Sequence, residues 1–147
     1  MACEAGAQRQ MSEPFLDTDV LMRFITGDDP VKQANATAMI RQIETGELTV
    51  RLPDTVIADA VYVLSSSRTY RMPRAEIREE LVFLLRLPHF KVHNRRLLLR
   101  PLDIYVKYRV DFGDAMIVAA AERRRTADVI SYDHDFDRIV GIVRQEP

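Results

Sequence analysis

Short apolar segments separated by helix-length amphipathic stretches run the length of this chain, and that alternation restricts its fold more than any other feature. Residues 13–17, LTVRL at 48–52, residues 90–93, ADVISY at 127–132 and IVGIV at 139–143 read as strands. Between them, 19–26, Val31–Glu44, Pro53–Ser67, Pro73–Leu87, 95–108 and Phe112–Arg125 read as helices. The boundaries carry their own chemistry. Gly27-Asp28-Asp29-Pro30 and Gly46 stop helices, Pro53 and Pro73 stand at first helical positions, and Asp111 is placed to cap the helix from Phe112. Apolar residues recur at helical spacing: Ala34, Ala38 and Ile43; Ile77, Leu81, Leu84 and Leu85; 112, 115, 116, 119 and 120. Strands alternating with helices predict a parallel sheet covered on both faces. At 147 residues, a single domain over 13–147 is long enough to bury a real core. Residues 1–12 read as a disordered leader.

The bulk numbers exclude several classes. No apolar run approaches the ~18 residues a membrane span needs, and MACEAGAQRQ has no apolar core of a signal peptide. A single cysteine, Cys3, excludes an intrachain disulfide and a cysteine-built zinc site, which fits a reducing, cytoplasmic setting. The net charge of −1 argues against a general polyanion binder. Of the 21 basic residues only Lys32, Lys91 and Lys107 are lysines. The arginines cluster at 68, 71, 74 and 78; at 95, 96 and 100; and at 123–125. Arginine forks suit phosphate, although solvated helix faces produce the same pattern.

Acids collect where a parallel sheet would bind a ligand, past the carboxyl ends of its strands. FLDTDVL places Asp17 and Asp19 after the first strand, and SYDHDFD places Asp133 and Asp135 after a later one. Asp114 falls in the first turn of a helix rich in small apolar residues. Asp59, in VIADAVYVL, lies on the margin of an arc made by Val56, Ala60, Val61, Val63 and Leu64, where a carboxylate is partly desolvated and needs a partner. Each acid has a plainer reading: Asp19, Asp111 and Asp114 as helix caps, Asp133 and Asp135 as turn residues, Asp59 as half of an ion pair. Together they are harder to explain that way. Two carboxylates ~4 Å apart repel by about 4 kcal/mol at an effective dielectric of ~20. A cation or a proton relieves such a cluster, and an oxygen-only set suits Mg²⁺ or Mn²⁺.

The landmarks FLDTDVLMRFITGDDP at 15–30, VIADAVYVL at 56–64, DFGDAMIVAAA at 111–121 and SYDHDF at 131–136 resemble, in order and spacing, those of the PIN domain family. The likeness is to its short VapC-type toxins of bacterial toxin–antitoxin pairs. The resemblance implies a three-layer α/β/α sandwich with a central parallel sheet and metal-dependent cleavage of RNA to 5′-phosphate and 3′-hydroxyl ends. It carries the family's acidic quartet onto Asp17, Asp59, Asp114 and Asp133, with Asp135 as a further metal ligand and Thr18 as the orienting residue after the first acid. It implies a small cognate antitoxin, for which segment 62–86 is the candidate surface, and homodimerisation. Two positions depart from the family pattern. Asp59 stands where glutamate is usual, and its shorter arm favours contact through water. Asp19 stands where asparagine is usual and adds negative charge.

Two other readings compete. FLDTDVL also fits a haloacid-dehalogenase-like phosphatase, with Asp17 as nucleophile and Asp19 as acid/base. That chemistry needs a well-placed lysine, and none of the three in this chain is persuasively placed. A PIN-like module that only binds RNA or protein is the other. His134 lies between two acids, and its side chain points away from theirs if that segment is extended.

Overall fold

The computed structural model describes residues 12–147. Cys3 and all but the last residue of the expected leader therefore lie outside the described residues. The elements run α1 (Thr18–Thr26), α2 (Pro30–Thr45), β1 (Val50–Leu52), α3 (Asp54–Ser65), α4 (Arg74–Leu85), β2 (Phe90–Val92), α5 (Arg95–Tyr108), α6 (Phe112–Arg124), β3 (Asp128–Ile130), a 3-10 helix (His134–Arg138) and β4 (Val143–Gln145). This is an α/β sandwich in which every strand pairing is parallel. Among the described residues, no helix is long and apolar enough to cross a membrane.

The strands are shorter than the sequence suggests, and they hydrogen-bond in two pairs: β1 with β2, and β3 with β4. The strand expected at 13–17 is reduced to one parallel bridge, Phe15 to Arg51, held by Leu16 N–H on Arg51 O (3.0 Å) and Arg51 N–H on Pro14 O (2.9 Å). Alternation sorts the residues of this edge. Val50, Leu52, Phe90 and Val92 are buried in the core, while Phe15, Arg51 and Lys91 stand side by side in register and exposed. Glu13 pairs with both Arg51 and Lys91 there.

The last strand also differs from expectation. Residues 139–142 do not form it. Ile139 is buried at the end of the 3-10 helix, Gly141 turns the chain at φ +86°, and β4 begins at Val143. Apolar character in IVGIV therefore anchors a turn instead of a strand, and pairing with β3 recruits Arg144 and Gln145.

Most helical stripes fall as their spacing predicts. In α4, Ile77, Leu81, Leu84 and Leu85 are all buried, joined by Val82. In α6 the buried set is Phe112, Ala115, Val118, Ala119 and Ala121, with Met116 partly buried against the core. In α3, Ile57 is buried where Val63 was expected, and Val63 is only partly so. In α2, Ala34 and Ala38 are exposed, and Ala36, Ile40 and Ile43 face the core. Alanines bury little area, so they set a helix's rotation weakly, and Ile40 overrides them.

The α3–α4 turn is tied to the α1–α2 turn by one carboxylate. Asp28 accepts from Tyr70 Oη (2.7 Å), Arg23 (2.9 Å) and Thr26 Oγ1 (3.1 Å). The Tyr70 hydroxyl first, then the Arg23 guanidinium, hold its pKa down at about 2. A carboxyl whose folded pKa is depressed contributes stability above its unfolded value of about 3.9, and loses it as the pH falls through the folded value. Asp28→Asn is therefore expected to lower Tm at pH 7. Thermal melts of variant and wild type should converge as the pH falls from about 4 toward about 2; a constant gap across that window would show that the carboxylate's charge is not what holds the two turns.

Candidate metal centre

The acidic site begins with how α6 is started. Its first residue, Phe112, is buried and meets the Tyr105 ring edge-on, with centroids 6.2 Å apart and planes at 82°. The Arg74 guanidinium lies 4.2 Å over the same Tyr105 ring and donates to the carbonyls of Tyr105 (3.1 Å) and Val110 (2.5 Å). One side chain of α4 thus satisfies two carbonyls at the end of α5, where the last turn of a helix leaves them unpaired. That fixes the turn through Arg109, Val110 and Asp111. Asp111 is the N-cap residue by backbone conformation, but its side chain makes no capping hydrogen bond. Asp114 then projects from the first turn of α6, half-buried.

The second contribution comes from the turn after β3. Ser131 N–H bonds Gln145 O (2.9 Å), and Ser131 Oγ accepts from Asp133 N–H (2.9 Å). Asp133 Oδ1 accepts from Asp135 N–H (2.8 Å) and so caps the 3-10 helix. That helix is absent from the extended reading of SYDHDFD. It directs His134 onto Asp137 (3.1 Å) and within 2.9 Å of Arg144, away from the acid cluster.

These two turns bring Asp114, Asp133 and Asp135 together, with carboxylate oxygens within 4.8 Å of one another. Arg138 joins them. It pairs with Asp135 (3.0 Å) and donates to Arg109 O (3.3 Å), so it spans from the 3-10 helix to the turn before α6. Burial first, then the charges of Asp133 and Asp111, push the Asp114 carboxyl above its ordinary value; a hydrogen bond shared with Asp133 and the charge of Asp135 add to this. The donor set is oxygen-only, which fits a hard divalent cation, and such an ion would offset both the burial of the Asp114 carboxylate and the charges of its acidic neighbours.

The remaining predicted residues fall outside this group of three. Asp17 is exposed and is the N-cap of α1, accepting the Thr18 backbone N–H at 2.6 Å. The cap is Asp17, so Asp19 falls in the first turn and does not cap α1 as expected. Asp59 is exposed on α3 and has no hydrogen bond or ion pair to any described residue, unlike the partly desolvated acid its wheel position suggests. Neither Asp17 nor Asp59 joins the group of three within 4.8 Å. Arg138 was not foreseen. Its only signal is the i, i+3 spacing from Asp135, which has meaning only if the segment is helical.

Compared with known protein families, residues 15–142 match the PIN domain. No curated protein matches the chain in sequence. The match spans both turns that build the acid cluster, and with it the chain belongs to the PIN domain family, whose members are in general metal-dependent nucleases.

Proposed function

We propose that this chain is a Mg²⁺- or Mn²⁺-dependent endoribonuclease acting as the toxin of a toxin–antitoxin pair in the cytoplasm. The observation that carries the reading is the convergence of Asp114, Asp133 and Asp135, from two separate elements, within 4.8 Å. When bound, such an ion supplies Lewis-acid chemistry, acidifying water and offsetting phosphate charge. Asp114, Asp133 and Asp135 would hold it, with Asp17 and Asp59 completing the acidic rim. Arg138 keeps Asp135 in place through the ion pair described above. No histidine is needed as a base, since His134 is engaged with Asp137 and Arg144. Restraint of the activity falls to a small antitoxin covering segment 62–86, and homodimerisation accompanies the reading. Family membership removes the ground for a phosphatase with Asp17 as nucleophile. A PIN-like module that only binds is separated by the experiments that follow.

Asp114→Asn tests the metal site on two counts. RNA cleavage should fall by ~100-fold or more, the range for losing a ligand or its support. Metal-free stability should move the other way. A carboxyl whose folded pKa is raised is not penalised below its unfolded value and is penalised once the pH passes the folded one. The variant should therefore melt higher than wild type at pH 7, with the gain gone below pH ~4. Wild type should gain ~2.7 kcal/mol from Mn²⁺ at a hundred times its Kd, and the variant far less at the same concentration. Equal stabilisation of both proteins by Mn²⁺ would place the ion elsewhere.

Asp59 departs from the family pattern and sits outside the group of three. Asp59→Ala is expected to reduce cleavage by ~100-fold, and Asp59→Glu to preserve or raise it with Mg²⁺. If Asp59→Ala cleaves at the wild-type rate, the site rests on Asp17, Asp114, Asp133 and Asp135.

The toxin assignment is tested in cells. Expression of wild type should arrest growth, and Asp17→Asn should relieve the arrest. Equal toxicity, or equal harmlessness, of the two proteins would favour the binding module.

A further inference from the structure

A groove of about 980 Å³ runs between α3, the α3–α4 turn and the α5–α6 turn. We propose that it seats a single-stranded stretch of the RNA substrate beside the scissile phosphate, with Arg68 and Arg109 taking phosphates and Tyr62 stacking on a base. The identity of the strand as RNA rests on the nuclease reading above; the groove and its chemistry do not.

The groove reaches the start of α6, the helix that carries Asp114. Asp111, Phe112 and Gly113 line it, and Asp114 is the next residue in the same helical turn. Ala58 lines it at the other wall, next to Asp59. A strand lying in the groove would therefore run directly to the carboxylates.

That approach has an electrostatic problem. Asp111, Asp114, Asp133 and Asp135 form a negative patch that repels a phosphate backbone, and it needs cations placed outside the metal site. Three arginines line the groove, and they are not equivalent. Arg74 is committed to the Tyr105 ring and to two carbonyls. The guanidinium groups of Arg68 and Arg109 make no hydrogen bond or ion pair to any described residue. Elsewhere in the fold, Arg23, Arg51, Arg78, Arg100, Arg138 and Arg144 are each paired with a carboxylate. The two in the groove keep their full donor capacity for a ligand.

Arg109 is also held in an unusual way. It ends α5 in the left-handed conformation, φ +55°, where glycine is the ordinary residue. Its carbonyl accepts from Arg138, which fixes the backbone while leaving the side chain free. The turn bearing Arg68 is preformed as well. Arg71 Nε bonds Ser67 O (2.8 Å), Met72 N–H bonds Leu64 O (2.8 Å), and Tyr70 is tied to Asp28.

Tyr62 supplies the third element. It is 77% exposed in the groove wall, three residues after Asp59, and so a surface neighbour of that acid on α3. An exposed ring on a groove that also offers cations is the arrangement by which proteins hold unpaired bases, because every base has a stackable face. A duplex presents no such free face, so the site selects single strands.

The test uses the full chain and a labelled single-stranded oligoribonucleotide of about 12 nucleotides. Binding is measured in EDTA and cleavage with Mn²⁺. Arg68→Gln and Arg109→Gln should each weaken binding by about 3- to 10-fold, raise KM and leave kcat within about 2-fold. Each should reduce the slope of log affinity against log salt by about 0.7. Tyr62→Ala should cost about 10-fold in affinity, and Tyr62→Phe should restore it. Arg96→Gln, at the opposite end of α5 and ~20 Å away along the helix axis, should change nothing. Asp114→Asn separates the two readings, since it should lose cleavage and keep binding in EDTA. If Asp114→Asn cleaves normally while the arginine variants bind weakly, the groove stands and the metal-site reading falls. The groove assignment is overturned if the arginine variants bind as wild type does, if wild type binds a duplex of the same sequence more tightly, or if it does not bind the oligonucleotide at all.

Discussion

Three carboxylates lie within 4.8 Å of one another, and the rest of the site follows from how the backbone brings their segments together. One acid is delivered by the start of α6, the other two by the turn after β3. Each of these segments is pinned by groups that are not acidic: Arg74 on the Tyr105 and Val110 carbonyls, and Ser131 within the β3 turn. Arg138 then spans the two segments. The cluster is thus held by hydrogen bonds from residues outside it together with one inside it, Asp135 N–H on Asp133 Oδ1. No charged residue among those described is fully buried, so repulsion within the cluster is partly screened by water.

The parts of this architecture visible in sequence are those written in large aliphatic side chains or in local caps. The α4 stripe was legible because Ile77, Leu81, Leu84 and Leu85 each bury enough area to decide the helix's rotation. The α2 stripe was not, because Ala34 and Ala38 could lose to Ile40. SYDHDFDRIVGIV misled for a different reason. Its Ile and Val residues read as a strand, but Ile139 and Phe136 are core anchors for a 3-10 helix, and β4 takes the polar Arg144 and Gln145 because β3 needs a partner. Asp114, Asp133 and Asp135 were legible through their places at a helix start and a strand end. Their supports were not. Arg74 reaches Tyr105 across 31 residues and Arg138 reaches Arg109 across 29, and no periodicity or spacing rule connects such pairs.

The arginine clusters gain meaning once their partners are known. Sequence alone groups Arg68, Arg71, Arg74 and Arg78 as one basic run. The structure gives them four different tasks. Arg78 pairs with Asp103 across α4 and α5, Arg74 braces the α5–α6 turn, Arg71 closes its own loop, and Arg68 alone faces the groove without an acceptor. Surface ion pairs such as Arg78 with Asp103 contribute little to stability individually. Their larger consequence is subtractive, because every arginine paired with a carboxylate is unavailable to phosphate.

A net charge of −1 therefore describes this surface poorly. The acidic patch borders a groove lined by Arg68, Arg74 and Arg109, so charge of both signs meets at the start of α6. Carboxylates at the centre repel a strand that arrives without its neighbours' phosphates being held. If the strand is seated as proposed, Arg68 and Arg109 attract the flanking phosphates and leave the scissile one as the group nearest the acids. Under the proposed reading, chemistry at the acids is indifferent to base identity, since a metal held there would meet the phosphate and not the base edges. Discrimination between RNA sequences would then arise where bases are touched, which in the proposed groove is the wall carrying Tyr62 and not the carboxylate cluster. Two members of one family with identical acids can differ in target for this reason alone, through the residues that line the groove.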